Sequence, residues 1–197
     1  TYGETDKCPL WMEHLDTIFD KDSELIDYFQ RVVGYTITGE SCERKFFLLH
    51  GGGMNGKSVT IDVIHHILGK YSTTVSFDIF TRHGSSQKNY DAEILHLLGV
   101  RMASASEVIE NATFHEGRIK SFTGGRDEIT VRGLYQKEPT SFRVRAKIWM
   151  AVNHLPNATD TTKSFWDRAM VIPFMHNFKE NNIDQKIYDS LILERHG

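Results

Sequence analysis

Three features of this 197-residue chain predict an α/β domain with a mostly parallel sheet. Residues 45–50 form a short, continuous apolar run of the kind found in strands buried on both faces. A glycine-rich loop follows it directly, and a helical pattern follows the loop. Strand-like and helix-like segments then alternate along the chain, as they do where helices are layered on a parallel sheet.

Each element has its own warrant. Residues 9–34 read as two amphipathic helices, because Leu10, Trp11, Leu15 and Ile18, then Leu25, Ile26, Phe29, Val32 and Val33, recur at helical spacing. Asp22-Ser23 supplies an N-cap, and Gly34 is the expected stop. A polar link over 38–44 leads to the apolar strand, and loop 51–58 leads to a helix over 59–68 closed by Gly69. A polar stretch, 81–89, precedes a helix over 90–98, which passes through Gly99 into a strand over 100–107. A helix over 113–122 ends at Gly124-Gly125. Residues 129–135 and 141–152 read as strands joined by a hairpin tip at 136–140. A short strand over 169–174 and a polar, helical tail complete the chain. Residues 1–40 are expected to form an N-terminal helical segment and 41–197 the core. A chain that begins at Thr1 is expected to be a fragment of a longer protein.

Composition narrows the function. Lys and Arg number 23 against 26 Asp and Glu, a formal charge of −3, so any nucleic-acid contact must come from a local basic patch. No apolar run approaches the roughly 20 residues of a membrane span, which excludes a membrane protein. Cys8 and Cys42 are the only cysteines, which suits a reduced, cytoplasmic setting better than a disulfide framework. The ten histidines have no metal-ligand spacing; the adjacent pair His65-His66 points to different sides of its helix.

The strongest motif is the loop. Gly51-Gly52-Gly53-Met54-Asn55-Gly56-Lys57-Ser58 satisfies the P-loop pattern, and it lies between a strand and a helix. Glycines let backbone N–H groups curl around phosphate oxygens, and the helix beginning near Val59 points its positive end at them. Lys57 is positioned to bridge the β- and γ-phosphates, and the Ser58 hydroxyl to ligate Mg²⁺. The pattern predicts binding of a nucleoside triphosphate with Mg²⁺. Glu107, at the end of the 100–107 strand, is the expected carboxylate for polarising water and helping to hold Mg²⁺. Glu110 and Glu116 are rivals nearby in sequence.

The basic residues gather at the hairpin. Period-two alternation puts Arg143, Arg145 and Lys147 on one face of the 141–152 strand, with Lys137 at the tip. Lys120 lies just upstream. Such a stripe either grips a nucleic-acid backbone or is a solvated strand face.

The order of motifs resembles the superfamily 3 helicase domain of phage, plasmid and poxvirus-type primase-helicases, a branch of the AAA+ ATPases. Asn55-Gly56-Lys57-Ser58 is similar to that family's Walker A ending and Ala105-Ser106-Glu107 to its Walker B. The segments 120–125 with Asp127, Ile129 and Arg132, then 149–156 and 165–174, resemble its third, sensor and arginine-finger motifs. Ser106 stands where many ATPases have Asp, and Asp167 where members often have a first arginine, which leaves Arg168 as the one candidate finger. The resemblance implies an AAA+-type P-loop NTPase core with a β-hairpin insertion and a short N-terminal helical segment. It implies Asn153 as a residue orienting the attacking water and Arg168 as a finger reaching a neighbouring subunit. It implies further a hexameric ring driven by ATP along single-stranded or forked DNA, with a primase or primase-polymerase domain upstream. From the residues alone, Asn153 also fits a turn before Pro156, and Arg168 a structural ion pair. A P-loop ATPase that remodels proteins, or an ATP-dependent assembly module with little hydrolysis, fits the same chain.

Overall fold

The computed structural model describes residues 7–82, 90–106, 112–159, 163–178 and 186–194. Helices α1 (Pro9–Ile18) and α2 (Ser23–Thr38) come first, then β1 (Phe46–His50) and α3 (Lys57–Leu68). Strand β2 (Ser72–Thr74), the single turn α4 (Asp91–Ile94), β3 (Met102–Ser106) and α5 (Glu116–Thr123) follow. The chain continues through β4 (Ile129–Val131), β5 (Thr140–Phe142) and β6 (Lys147–Val152) to α6 (Lys163–Trp166), β7 (Ala169–Pro173) and α7 (Ile187–Leu193). Five strands form one sheet in the order β2-β3-β6-β1-β7, with every pairing parallel. The fold is therefore the α/β class that the sequence predicts.

Alternation along each strand divides the core into two layers. Phe46 and Leu48 of β1, Ile148, Met150 and Val152 of β6, and Ala103 and Ala105 of β3 join one cluster, with Phe80, Phe114, Phe122 and Phe165. Phe47, Leu49, Trp149, Ala151 and Ile172 join the other, with Leu15 and Ile18 of α1, Phe29 and Val32 of α2, and Ile61 and Ile64 of α3. Thus α1 and α2 pack on the same sheet face as the helix after the glycine-rich loop. Phe29 stands edge-on to Trp149 at 5.8 Å between ring centres.

Asp22 caps α2 as expected, its carboxylate accepting from the N–H groups of Glu24 (3.1 Å) and Leu25 (3.0 Å). Gly34, however, does not stop the helix, which runs to Thr38 and ends at Gly39, with φ +72°. The extra turn is held by tertiary contact: Thr36 is fully buried and its Oγ1 accepts from Trp149 Nε1 at 3.1 Å. That bond outweighs the modest helix cost of a glycine.

The strand expected over 141–152 is two strands. Strand β5 pairs antiparallel with β4, Ile129 opposite Phe142, whereas β6 enters the main sheet between β3 and β1. Alternation holds through Ala146 and fails at Lys147 because β6 is buried on both faces and has no solvent side. Lys147 is therefore not part of a basic stripe. Its ammonium lies over the Tyr35 ring, 4.6 Å from the centroid, and burial pulls its pKa down to about 8. The hairpin connection is also longer than expected, spanning 132–139, and its exposed crest carries Leu134 and Tyr135 ahead of Lys137.

The cap at Asp22 gives the first testable outcome. Asp22→Ala should lower unfolding free energy by ~1 kcal/mol, read as a shift in urea midpoint with unchanged slope.

Candidate functional site

The carboxyl ends of β1, β3 and β6 lie side by side, because His50 pairs with Val152 and Ser106 with Ala151. In an open parallel sheet this edge is where ligands bind. The glycine-rich loop starts there, with Gly51 N–H donating to Val152 O at 3.2 Å. It is tied on its other flank to the segment after β7: Phe174 N–H donates to His50 O (2.7 Å), and buried Asn55 donates through Nδ2 to Phe174 O (3.0 Å). A Cβ on Gly51 would sit 2.0 Å from the Phe174 carbonyl oxygen, so only glycine fits. Gly53 (φ +93°), Met54 (+47°) and Gly56 (+85°) all take the left-handed region, which coils the loop.

Lys57 is buried within this coil. Its Nζ donates to Gly51 O (2.5 Å), Asn55 Oδ1 (3.1 Å) and Asn153 Oδ1 (3.3 Å). All three acceptors are neutral, and burial lowers the lysine's pKa. A cation desolvated among neutral oxygens, at the positive end of a 12-residue helix that has no side-chain cap, is a site with affinity for an anion. The residues present fit a polyphosphate and, through the Ser58 hydroxyl at the rim, a hard divalent cation such as Mg²⁺. Beside the loop opens a cleft of about 740 Å³, lined by Gly53 to Val59 and Asn153, by α1 and by α7. Phe178 also lines it, and its N–H donates to Met54 O at 2.8 Å.

The structure thus brings together Gly51, Asn55, Gly56, Lys57, Ser58, Val59 and Asn153. Arg168 is elsewhere. Its carbonyl accepts from Phe46 N–H at 2.9 Å, so it sits at the amino end of β1, about 16 Å of strand away from the loop. Its guanidinium donates to Ser164 O, and its Nε is buried without a hydrogen-bond partner among the described residues. Glu107 and Glu110 lie outside the described residues. Glu116 is buried and fully engaged, pairing with Arg82 (2.5 Å) and accepting from Thr159 N–H (2.7 Å) and Oγ1 (2.9 Å). That pairing makes it a structural anchor. Of the basic residues, Lys137, Arg143 and Arg145 are exposed, Arg143 facing Glu128 at 3.6 Å, while Lys120 is half-buried on α5.

Sequence reading missed the far wall of the site. His14 of α1 is buried against the loop helix, its Nε2 2.9 Å from Thr60 Oγ1, and Thr60 in turn donates to Gly56 O at 2.9 Å. Nothing in the local pattern signals that a helix more than 40 residues upstream closes on the loop.

Residues 49–168 match a protein family described as a family of unknown function (DUF5906). The chain belongs to this family. It is 31% identical over 157 residues to "Putative helicase L207/L206" of Acanthamoeba polyphaga mimivirus, a match covering 80% of this chain and 16% of that protein. It is 30% identical over 154 residues to "Putative helicase 022R" of Frog virus 3, covering 77% and 16%. The "Putative primase C962R" of African swine fever virus is 25% identical over 152 residues, covering 75% and 16%. The chain therefore spans about a sixth of the length of these relatives. In fold it is similar to the C-terminal region of NrS-1 (TM-score 0.68, 14% identity, 98% of this chain and 44% of that one). It is similar also to JCV helicase (TM-score 0.56, 10% identity, 94% and 53%). The resemblance to superfamily 3 helicase domains agrees with these relatives.

Burial of His14 sets a pH response. Its pKa is lowered from 6.5 to about 4 by desolvation. Between those values the unfolded chain takes up a proton that the folded one refuses, so the contribution is neutral above pH 6.5 and destabilises as pH falls toward 4. The stability difference between wild type and His14→Gln should shrink by up to roughly 3 kcal/mol across that window, measured by denaturant unfolding at stepped pH.

Proposed function

We propose that this chain is an ATP-driven DNA helicase module that hydrolyses ATP between the subunits of a ring and moves on single-stranded DNA. The observation that carries the reading is Lys57, a buried cation whose acceptors among the described residues are all neutral, inside a phosphate-shaped coil, with Asn153 on the adjacent strand end as one of those acceptors. Helicase names among the relatives support the class of reaction, and the primase name supports a parent protein that also primes DNA synthesis.

The residues divide the work. When triphosphate enters, Lys57 exchanges Gly51 O and Asn153 Oδ1 for β- and γ-phosphate oxygens, and loop N–H groups take the rest. Release of the Asn153 amide leaves it pointing at the cleft, where it orients a water for in-line attack. Glu107, the residue directly after β3, takes that water's proton. Ser58, assisted by Glu107, would hold Mg²⁺, which would supply charge neutralisation at the phosphates. Arg168, at the opposite end of β1 from its own loop, serves the loop of the neighbouring subunit; such a finger supplies ~10³–10⁵ in rate. The exposed hairpin connection carries Lys137 to the DNA backbone, with Arg143 and Arg145 following directly after β5 and Lys120 upstream on α5. A hexamer and a forked DNA substrate belong to the same proposal.

Two measurements test it. Lys57→Ala and Arg168→Ala should each lose nearly all ATP turnover, and mixing them should restore part of it, because one interface then pairs an intact loop with an intact arginine. A mixed, assembled ring with no recovered activity would remove Arg168 from the reaction. For the hairpin, each phosphate contact contributes ~0.7 to the slope of log affinity against log salt on single strands. Lys137→Ala should flatten that slope and abolish DNA stimulation of the ATPase while leaving the basal rate unchanged. If slope and stimulation both stay at wild-type values, the protein-remodelling reading replaces DNA translocation.

A further inference from the structure

The cleft beside the phosphate loop has two walls that come from opposite ends of the described chain, and one side chain joins them. Glu194, directly after α7, accepts from the backbone N–H of Leu10 through Oε1 and of Trp11 through Oε2, each at 3.0 Å. These N–H groups open the first turn of α1, which lacks a cap of its own: Cys8 at the N-cap position makes no side-chain bond, and no acidic residue lies in that turn. A carboxylate at a helix N-terminus is favoured both by the two bonds and by the helix dipole. Helix α7 has only seven residues, of which Leu191 alone is buried, so its position depends on what it is fastened to. It packs against α3 and α1.

Both fastened helices line the cleft, Leu10 and Thr17 from α1 and Ile187 and Tyr188 from α7, with Phe178 between them and the loop. These side chains offer apolar and aromatic surface, which suits a planar base and its sugar rather than phosphate. We propose that Glu194 is a positioning residue for the nucleoside end of the cleft. By pinning α1 to α7 it fixes the spacing of the walls that enclose base and sugar, while the loop grips the phosphates independently. The inference rests on the reading of the loop as a triphosphate site.

Comparing two ligands separates the two ends of the cleft. A fluorescent nucleoside triphosphate reports on both ends, and inorganic tripolyphosphate, measured by competition, on the loop alone. In the full chain, Glu194→Ala should weaken the nucleoside triphosphate about tenfold, with faster dissociation, and leave tripolyphosphate within about twofold, as expected for loss of two charge-assisted bonds. Glu194→Gln, which keeps one acceptor oxygen, should fall between. Hydrogen exchange at the Leu10 and Trp11 amides should quicken in Glu194→Ala. Equal weakening of both ligands would assign Glu194 a general structural role and overturn the inference. So would exposed amides with unchanged nucleotide affinity. A wild-type chain that binds tripolyphosphate no more weakly than the nucleotide overturns the nucleoside subsite alone, whereas one that binds neither ligand overturns the loop reading first.

Discussion

Strand β1 is hydrogen-bonded on both edges, to β6 and to β7, and four of its five residues are buried. That pairing fixes where the glycine-rich loop can begin. A strand held by two neighbours and alternating into two cores cannot slip by one residue without exchanging every side chain between faces. The same register sets Val152 opposite His50, so the next residue on each strand, Asn153 and Gly51, reaches Lys57. On the other side, Pro173 opposite His50 delivers the Phe174 carbonyl to Asn55. Loop shape, lysine placement and the acceptor from β6 are therefore consequences of one strand's register.

Among the described residues two lysines are buried, in a chain whose formal charge is −3, and they are stabilised by different means. Lys57 is surrounded by three neutral oxygens at the carboxyl edge of the sheet. Lys147, opposite Met102 at the amino end of β6, has an aromatic face and the Arg145 carbonyl (3.3 Å). Desolvation lowers both pKa values. Lys147 is sealed by α2 through Tyr35 and joins that helix to the sheet, whereas Lys57 faces a cleft. The same residue type thus acts as a rivet at one end of the sheet and lines an open cleft at the other.

Much of this was legible in the sequence where the signal is local. The apolar run of β1, the loop pattern and the Asp22 cap are each written within a few residues, and each is found in place. The errors occur where distant contact decides. Gly34 reads as a stop, but Trp149, more than 100 residues on, holds the following turn through Thr36. Residues 141–152 alternate like one strand, yet the chain changes partner after Phe142, and Lys147 is drawn inside. Asn153 and Lys57 share no local pattern, and their contact is legible only through a family resemblance. The α1 and α7 walls have no sequence signature toward the loop, because neither helix is adjacent to it in the chain.

The described chain enters at α1 and leaves at α7, and both helices belong to the lining of one cleft. A segment joined ahead of α1 and another joined beyond α7 would start and finish within one helix length of each other. Tension applied between them would be carried by two backbone hydrogen bonds to a carboxylate and by the helices behind it. Parting the two helices that line the cleft would break the same two bonds.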